Sequence, residues 1–128
     1  MDRSENMRRI RSKDTNPELF IRRLIFKMGY RYRLHGKNLS GKPDMVFASR
    51  KKVIFIHGCF WHQHNNCADS HIPKTNREYW VAKLEKNKSR DKKNLDELDK
   101  NGWNSLVLWE CQINNSLELL SEVRNFLQ

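Results

Sequence analysis

Cysteine is scarce in this chain of 128 residues: there are three, Cys59, Cys67 and Cys111. An odd and small number argues against a disulfide framework, and reduced thiols fit a cytoplasmic protein. No hydrophobic run approaches the ~20 residues of a membrane helix. The first residues, MDRSENMRRIRSKDTN, are polar and lack the apolar segment of a secretory signal. Internal repeats, low-complexity blocks and linkers are also missing, so one domain over residues 1–128 is expected, with residues 1–15 as a basic N-terminal arm. Acidic residues are the minority, 15 against 25 Lys and Arg, for a net charge of +10. That excess favours a polyanionic partner, nucleic acid before an anionic membrane surface. It is also uneven: residues 1–33 carry ten Lys/Arg against four Asp/Glu, and residues 101–128 carry one against three.

What is present reads as alternating helix and strand. Asn16-Pro17-Glu18 is a helix start, with Asn16 as N-cap, and Phe20, Ile21, Leu24, Ile25 and Met28 supply an apolar face before the stop at Gly29. YRYRLH (30–35), PDMVFA (43–48) and VIFIHG (53–58) read as strands, the last two joined by SRKK as a hairpin. Residues 59–76 form a loop rich in His, Asn and Cys. From about Arg77 to Lys100 the pattern is helical and polar, with Leu84, Leu95 and Leu98 inward and Gly102 as its end. WNSLVLWE (103–110) is a strand and 114–127 a closing helix, with Leu117, Leu120, Val123 and Leu127 inward. The order α-β-β-β-α-β-α predicts an α/β fold, a mixed sheet covered by helices on both faces.

HGCFWHQHNNC (57–67) concentrates the chemistry. A tetrahedral Zn²⁺ site takes about four N or S ligands. Cys59, Cys67 and a histidine between them supply three, and Cys111 at the end of the last strand could supply the fourth. Spacing alone leaves His62 and His64 open as the ligand, and the simpler reading is three buried thiols without metal. Such a site would pin a loop with little core of its own. His57, at a strand end, and His62, in the pinned loop, would be held rigidly, as proton transfer requires. Asp44 follows Pro43 where one strand begins, close to the end of the neighbouring strand at Phe55-Ile56-His57. An acid and a backbone carbonyl there can hold Mg²⁺, although Asp at a turn is ordinary. Glu18 can join if the first helix packs beside Asp44; otherwise it only complements the helix dipole.

NMRRIRSKDTNPE, GKPDMVF, VIFIHGCFWHQH, the PKTNREYW…K…N…RD helix and GWNSLVLWEC together resemble the very short patch repair endonucleases, the Vsr family. The resemblance covers nearly the whole chain. It implies a restriction-endonuclease-like, PD-(D/E)XK three-layer α/β/α fold with an αβββαβ core. It also implies roles. Asp44 matches the catalytic Mg²⁺ ligand, joined by the backbone carbonyl of Ile56, where the family commonly has Thr. His57 stands in for the usual lysine. His62 matches the general base and Glu18 an acid that supports it. Cys59, His64, Cys67 and Cys111 match the structural Zn²⁺ ligands. Phe60, Trp61 and Trp80 match aromatics that wedge into DNA beside a mismatch, where unstacking is cheapest. As core residues Phe60 and Trp61 look awkward in a polar loop, and Trp103 and Trp109 look better placed for the core. Met7, Arg8, Arg9, Arg11 and Lys13 would lie along the DNA.

The implied activity is Mg²⁺-dependent nicking of duplex DNA 5′ of the T in a T:G mismatch, by a monomer, with a MutL-type repair protein as a possible partner and no membrane association. Two rivals remain at this point. One is a nuclease of the same fold without mismatch specificity. The other is a zinc-stabilised DNA-binding module without catalysis, which would need neither Asp44 nor His62.

Overall fold

A computed structural model describes residues 15–128. Helix α1 spans Asn16–Lys27 and is started by a capping box. The Thr15 hydroxyl accepts from the Glu18 N–H at 3.4 Å, and the Glu18 carboxylate accepts from the Thr15 N–H at 3.3 Å. The N-cap is therefore Thr15, one residue before the expected Asn16, because a hydroxyl three residues before a Glu completes a reciprocal pair. The apolar face of α1 is also rotated from expectation. Ile21 and Ile25 are buried together with Glu18 and Arg22, while Phe20 is exposed.

The sheet has four strands in the order β1 (Arg33–Leu34), β2 (Met45–Phe47), β3 (Lys52–His57) and β4 (Asn104–Trp109). β1 pairs antiparallel with β2, and β2 with β3. β3 and β4 run parallel, with Ile54 opposite Leu106 and His57 opposite Trp109. A parallel pair needs a long crossover, and helix α2 (Arg77–Lys100) is part of it. The strand expected over 30–35 shrinks to two residues, because Tyr30 and Tyr32 leave the sheet line to pack on the core. The 48–51 connection is a short 3-10 turn that ends on Lys51 at φ 57°.

Side chains alternate across a strand, and two apolar clusters result. Met45, Phe47, Ile54 and Leu108 pack with Ile21 and Ile25 of α1 and with Leu119, Val123 and Leu127 of helix α3 (Ser116–Leu127). Val46, Val53 and Phe55 pack instead with Leu98 of α2. In α3, Leu119 rather than Leu117 faces inward, and Leu117 is 81% exposed. The reason is a 3-10 segment over Glu110–Asn114, which delays the helix start and rotates its apolar stripe. Basic residues hold the far end of α3: the Arg50 guanidinium donates to the Leu127 carbonyl at 2.9 Å, as suits a cation at a helix C-terminus. Among the described residues no helix is long and apolar enough to cross a membrane.

Candidate active site and metal centre

The ends of β2 and β3, the turn that follows β3 and one side of α2 enclose a cleft of about 960 Å³. Asp44, just before β2, is fixed by the Ile56 N–H, which donates to its Oδ2 at 2.6 Å. Burial raises the Asp44 carboxyl to about 7; the nearby Glu18 adds to the rise, against the Ile56 N–H and Arg22. Glu18 does reach Asp44, because the buried face of α1 carries it there. Its Oε1 pairs with Arg22 Nη2 at 2.9 Å and lies 3.9 Å from His35 Nδ1. Arg22 Nη2 is 3.2 Å from His35 Nε2. Glu18, His35 and Asp44 form a group whose ligand atoms lie within 4.8 Å of one another. Two carboxylates at this spacing disfavour each other's charge, so a divalent cation fits between them.

The other end of the cleft is built from imidazoles. His57 is buried at the end of β3 and its ring stacks on His62, with centroids 3.8 Å apart and planes within 10°. Burial, then the neighbouring His62, lowers the His57 imidazole to about 3, so it is neutral. Its buried Nδ1 makes no hydrogen bond among the described residues. His62 Nδ1 lies 2.5 Å from Asp91 Oδ2, on α2. A carboxylate on one ring nitrogen fixes the tautomer and leaves the other nitrogen as the acceptor of a proton. Lys37, Lys42 and Arg90 also line the cleft and make it receptive to an anion.

Beyond the turn, Cys59, His64, Cys67 and Cys111 bring their ligand atoms within 4.8 Å of one another. His64 Nδ1 is 3.6 Å from Cys59 Sγ and 3.4 Å from Cys111 Sγ. The His64 ring stacks on Trp109 at 4.2 Å, and the Cys59 N–H donates to Glu110 Oε1 at 3.0 Å. The geometry thus selects His64, not His62, for this group. Burial, with the neighbouring Cys67 thiol adding to it, pushes Cys59 and Cys111 upward from the usual thiol range. Three thiols this close cannot all ionise unless a cation sits among them, and three sulfurs with one imidazole suit a tetrahedral divalent ion.

Residues 1–69 match the family described as DNA mismatch endonuclease Vsr. The type II nicking enzyme V.XorIIP of Xanthomonas oryzae pv. oryzae is 44% identical over 94% of this chain and 88% of its own length. The type II nicking enzyme V.NmeAIP of Neisseria meningitidis is 48% identical over 88% of this chain and 80% of its own. The DNA mismatch endonuclease Vsr of Escherichia coli is 38% identical over 94% of this chain and 76% of its own. The chain belongs to the Vsr family. Membership makes it an endonuclease that acts on DNA.

Within this Vsr-family chain, the aromatic residues of the turn sit differently from the sequence expectation. Phe60 and Trp80 are 5% and 4% exposed and pack with Leu84, flanked by Trp61 and Ile72. Trp103 and Trp109 are only half-buried. The loop thus has a small core of its own, supplied by the first turns of α2. Met7, Arg8, Arg9, Arg11 and Lys13 lie outside the described residues. Sequence reasoning missed Asp91, Asn87, Arg22 and His35. The carboxylate on His62 is Asp91, and Glu18 stands with Asp44 and His35 instead. A usable signal existed: Asn87 and Asp91 are four apart on α2, and Asn87 donates to the Trp61 carbonyl at 3.1 Å, so both face the same turn.

Proposed function

We propose that this protein nicks duplex DNA at a T:G mismatch, hydrolysing the phosphodiester bond 5′ of the T to leave a 5′-phosphate and a 3′-hydroxyl. One observation carries the reading: a single basic cleft joins Asp44, tied to the Ile56 N–H, with a His62–Asp91 pair. A DNA-binding module needs neither feature.

Asp44 and the Ile56 carbonyl, with Glu18 beside them, would hold Mg²⁺. In an extended strand a residue's N–H and C=O leave on the same side, so the Ile56 carbonyl faces the side from which its N–H reaches Asp44. The bound ion supplies positive charge to the phosphate and the leaving 3′ oxygen. The chain's own residues do the rest. Asp91 orients His62, and His62 accepts the proton of the attacking water. His57, neutral and stacked on His62, keeps that ring in place and excludes water from its face. Lys37, Lys42 and Arg90 attract the phosphate backbone.

Zn²⁺ would occupy Cys59, His64, Cys67 and Cys111 and would fix the turn that carries His62. Phe60, Trp61 and Trp80 would enter the DNA only after their cluster opens, which a mismatched step, already weakly stacked, would favour. The whole chain would act as one restriction-endonuclease-like domain of three layers, a reading supported by the two apolar clusters that separate α1 and α3 from α2. An asymmetric mismatch suits a monomer, and a MutL-type protein would be a partner in repair.

The test is strand-resolved nicking of a labelled duplex carrying one T:G pair, beside its T:A twin, with Mg²⁺ and without, for wild type and Asp44→Ala. One Mg²⁺-dependent cut beside the T, absent from the twin and the variant, is expected. Equal cutting of both duplexes would leave an endonuclease without mismatch specificity. Binding with no cutting would sink the catalytic reading.

A further inference from the structure

β3 begins at Lys52 and ends at His57, and the cleft lies at its His57 end. A second cavity, of about 540 Å³, lies at the Lys52 end. Its floor is β4, the edge strand of the sheet. Leu95 and Asp99 of α2 line it from one face of the sheet, and Asn125 and Phe126 of α3 from the other. The groove therefore follows the open edge between the two helices. The parallel register puts Asn104 opposite Lys52 and Leu106 opposite Ile54, and the Asn104 N–H donates to the Lys51 carbonyl at 2.9 Å. Even-numbered residues of β4 thus turn their backbone groups toward β3, while Ser105, Val107 and Trp109 turn theirs outward. The outward Trp109 N–H is capped by Gln112 Oε1 at 2.7 Å. The N–H groups of Ser105 and Val107 have no partner among the described residues, and Ser105 Oγ is buried without one. β4 reads NSLVLW and keeps an unbroken register over its whole length. It lacks the charge, proline or bulge that blunts a sheet edge.

We propose that this edge is the docking site of a protein partner, which lays a basic and apolar extended segment along β4 as a fifth strand. The segment's backbone exchanges hydrogen bonds with Ser105 and Val107, and its alternate side chains supply specificity. On the α2 side a Lys or Arg meets Asp99, whose exposed carboxylate makes no hydrogen bond or ion pair among the described residues. On the α3 side an apolar residue packs against Phe126. Charge selects this occupant. Lys52 is the one cation among the described residues that line the groove, and it is committed to the Phe126 and Gln128 carbonyls. Residues 94–100 carry one Lys/Arg against three Asp/Glu, and so do residues 101–128. Nucleic acid is repelled here. A second copy of the chain would bring the same acidic edge, with no cation for Asp99. A basic segment of another protein answers both the acid and the open N–H groups. Because the groove and the cleft lie at opposite ends of β3, that partner binds while DNA is in place.

The experiment pans a phage library of random decapeptides against the full chain and remakes the enriched sequences as fluorescein-labelled peptides. Alternating apolar residues with a Lys or Arg are expected among them. Anisotropy gives Kd, and amide hydrogen exchange followed by NMR locates the site. A bound peptide should slow exchange at Ser105 and Val107 at least about tenfold and leave His57 and His62 unchanged. Methylating the peptide nitrogens that bond to β4 should raise Kd about fivefold for each N–H lost. Asp99→Lys should raise Kd about tenfold, and replacing the peptide's cation by Glu should restore binding to that variant. Asp99→Lys still nicks DNA as wild type does, and duplex DNA does not displace the peptide. A library that yields no such sequence, protection away from β4, or a wild-type Kd in Asp99→Lys overturns the site. So does release of the peptide by DNA. Self-association seen by sedimentation, with Ser105 and Val107 protected in the absence of peptide, would give the edge to a second copy and overturn the partner.

Discussion

Asp44 is where stability and chemistry conflict most directly. Burial, then Glu18, raises its carboxyl from 3.8 to about 7. The folded state therefore keeps a proton that the unfolded chain has lost, and without a metal ion the fold loses stability as pH rises from about 4 to about 7. Asp44→Asn removes that penalty, and its amide oxygen still accepts from the Ile56 N–H. Metal-free Asp44→Asn is expected to be more stable than wild type at pH 8, by on the order of 4 kcal/mol, and equal to it near pH 4. Nicking by the same variant should vanish. Thermal unfolding at both pH values checks this, and a destabilised Asp44→Asn at pH 8 would count against it. Asp91 makes the complementary case. It supports His62 without a place among the Asp44 group, so Asp91→Asn should lower kcat about 100-fold with little change in KM. Single-turnover nicking at saturating DNA measures the effect; a kcat within threefold of wild type would remove Asp91 from the mechanism.

At the scale of elements, the loop between β3 and α2 brings its cysteines together with Cys111. Cys59 and Phe60 are buried, but most of residues 61–76 are half-buried or exposed, and the four ligand atoms gather where β4 ends and the loop begins. If a zinc ion holds them, metal analysis finds one per chain, and Cys111→Ser loses the ion and about 10 °C or more in Tm. A variant with unchanged Tm would mean that the thiols pack without metal. The loop also marks the limit of what the sequence discloses. The motifs around Asp44, His57 and Cys59 were legible because each couples unusual residue types to a strand end. The strand cores and the stop signals at Gly29 and Gly102 were legible because local backbone preference decides them, and both glycines take positive φ. Three things depend on how elements meet, and these were not legible. Leu117 looks as apolar as Leu119, and only the 3-10 segment over Glu110–Asn114 decides which one turns inward. Phe60 looks like a loop residue until Trp80 and Leu84 arrive from α2 to bury it. Asp91 is one of six acids on a polar helix, and its pairing appears only when His62 is brought against it.

The whole molecule is electrically lopsided, and this sets how it meets a polyanion. Residues 1–33 carry a net charge of +6, while residues 101–128, which include α3, carry −2. A polyanionic duplex would therefore approach along the first segment and α2 rather than along α3. Each lysine or arginine that neutralises a phosphate releases a counterion, and the slope of log K against log salt counts those contacts. Replacing Arg8, Arg9, Arg11 and Lys13 together by glutamine should reduce that slope by about three to four if all of them meet phosphate. Replacing Glu118 and Glu122 of α3 by glutamine raises the net charge by two without touching the proposed DNA side, so the slope should stay as in wild type. The pair of measurements separates local contact from overall charge. If binding followed net charge alone, the α3 variant would bind more tightly and more salt-sensitively, and the assignment of the N-terminal residues to the DNA side would fail. If only the N-terminal variant changes, the asymmetry of the chain is the asymmetry of its interface, with the cleft on the basic side and α3 as the face turned away from DNA.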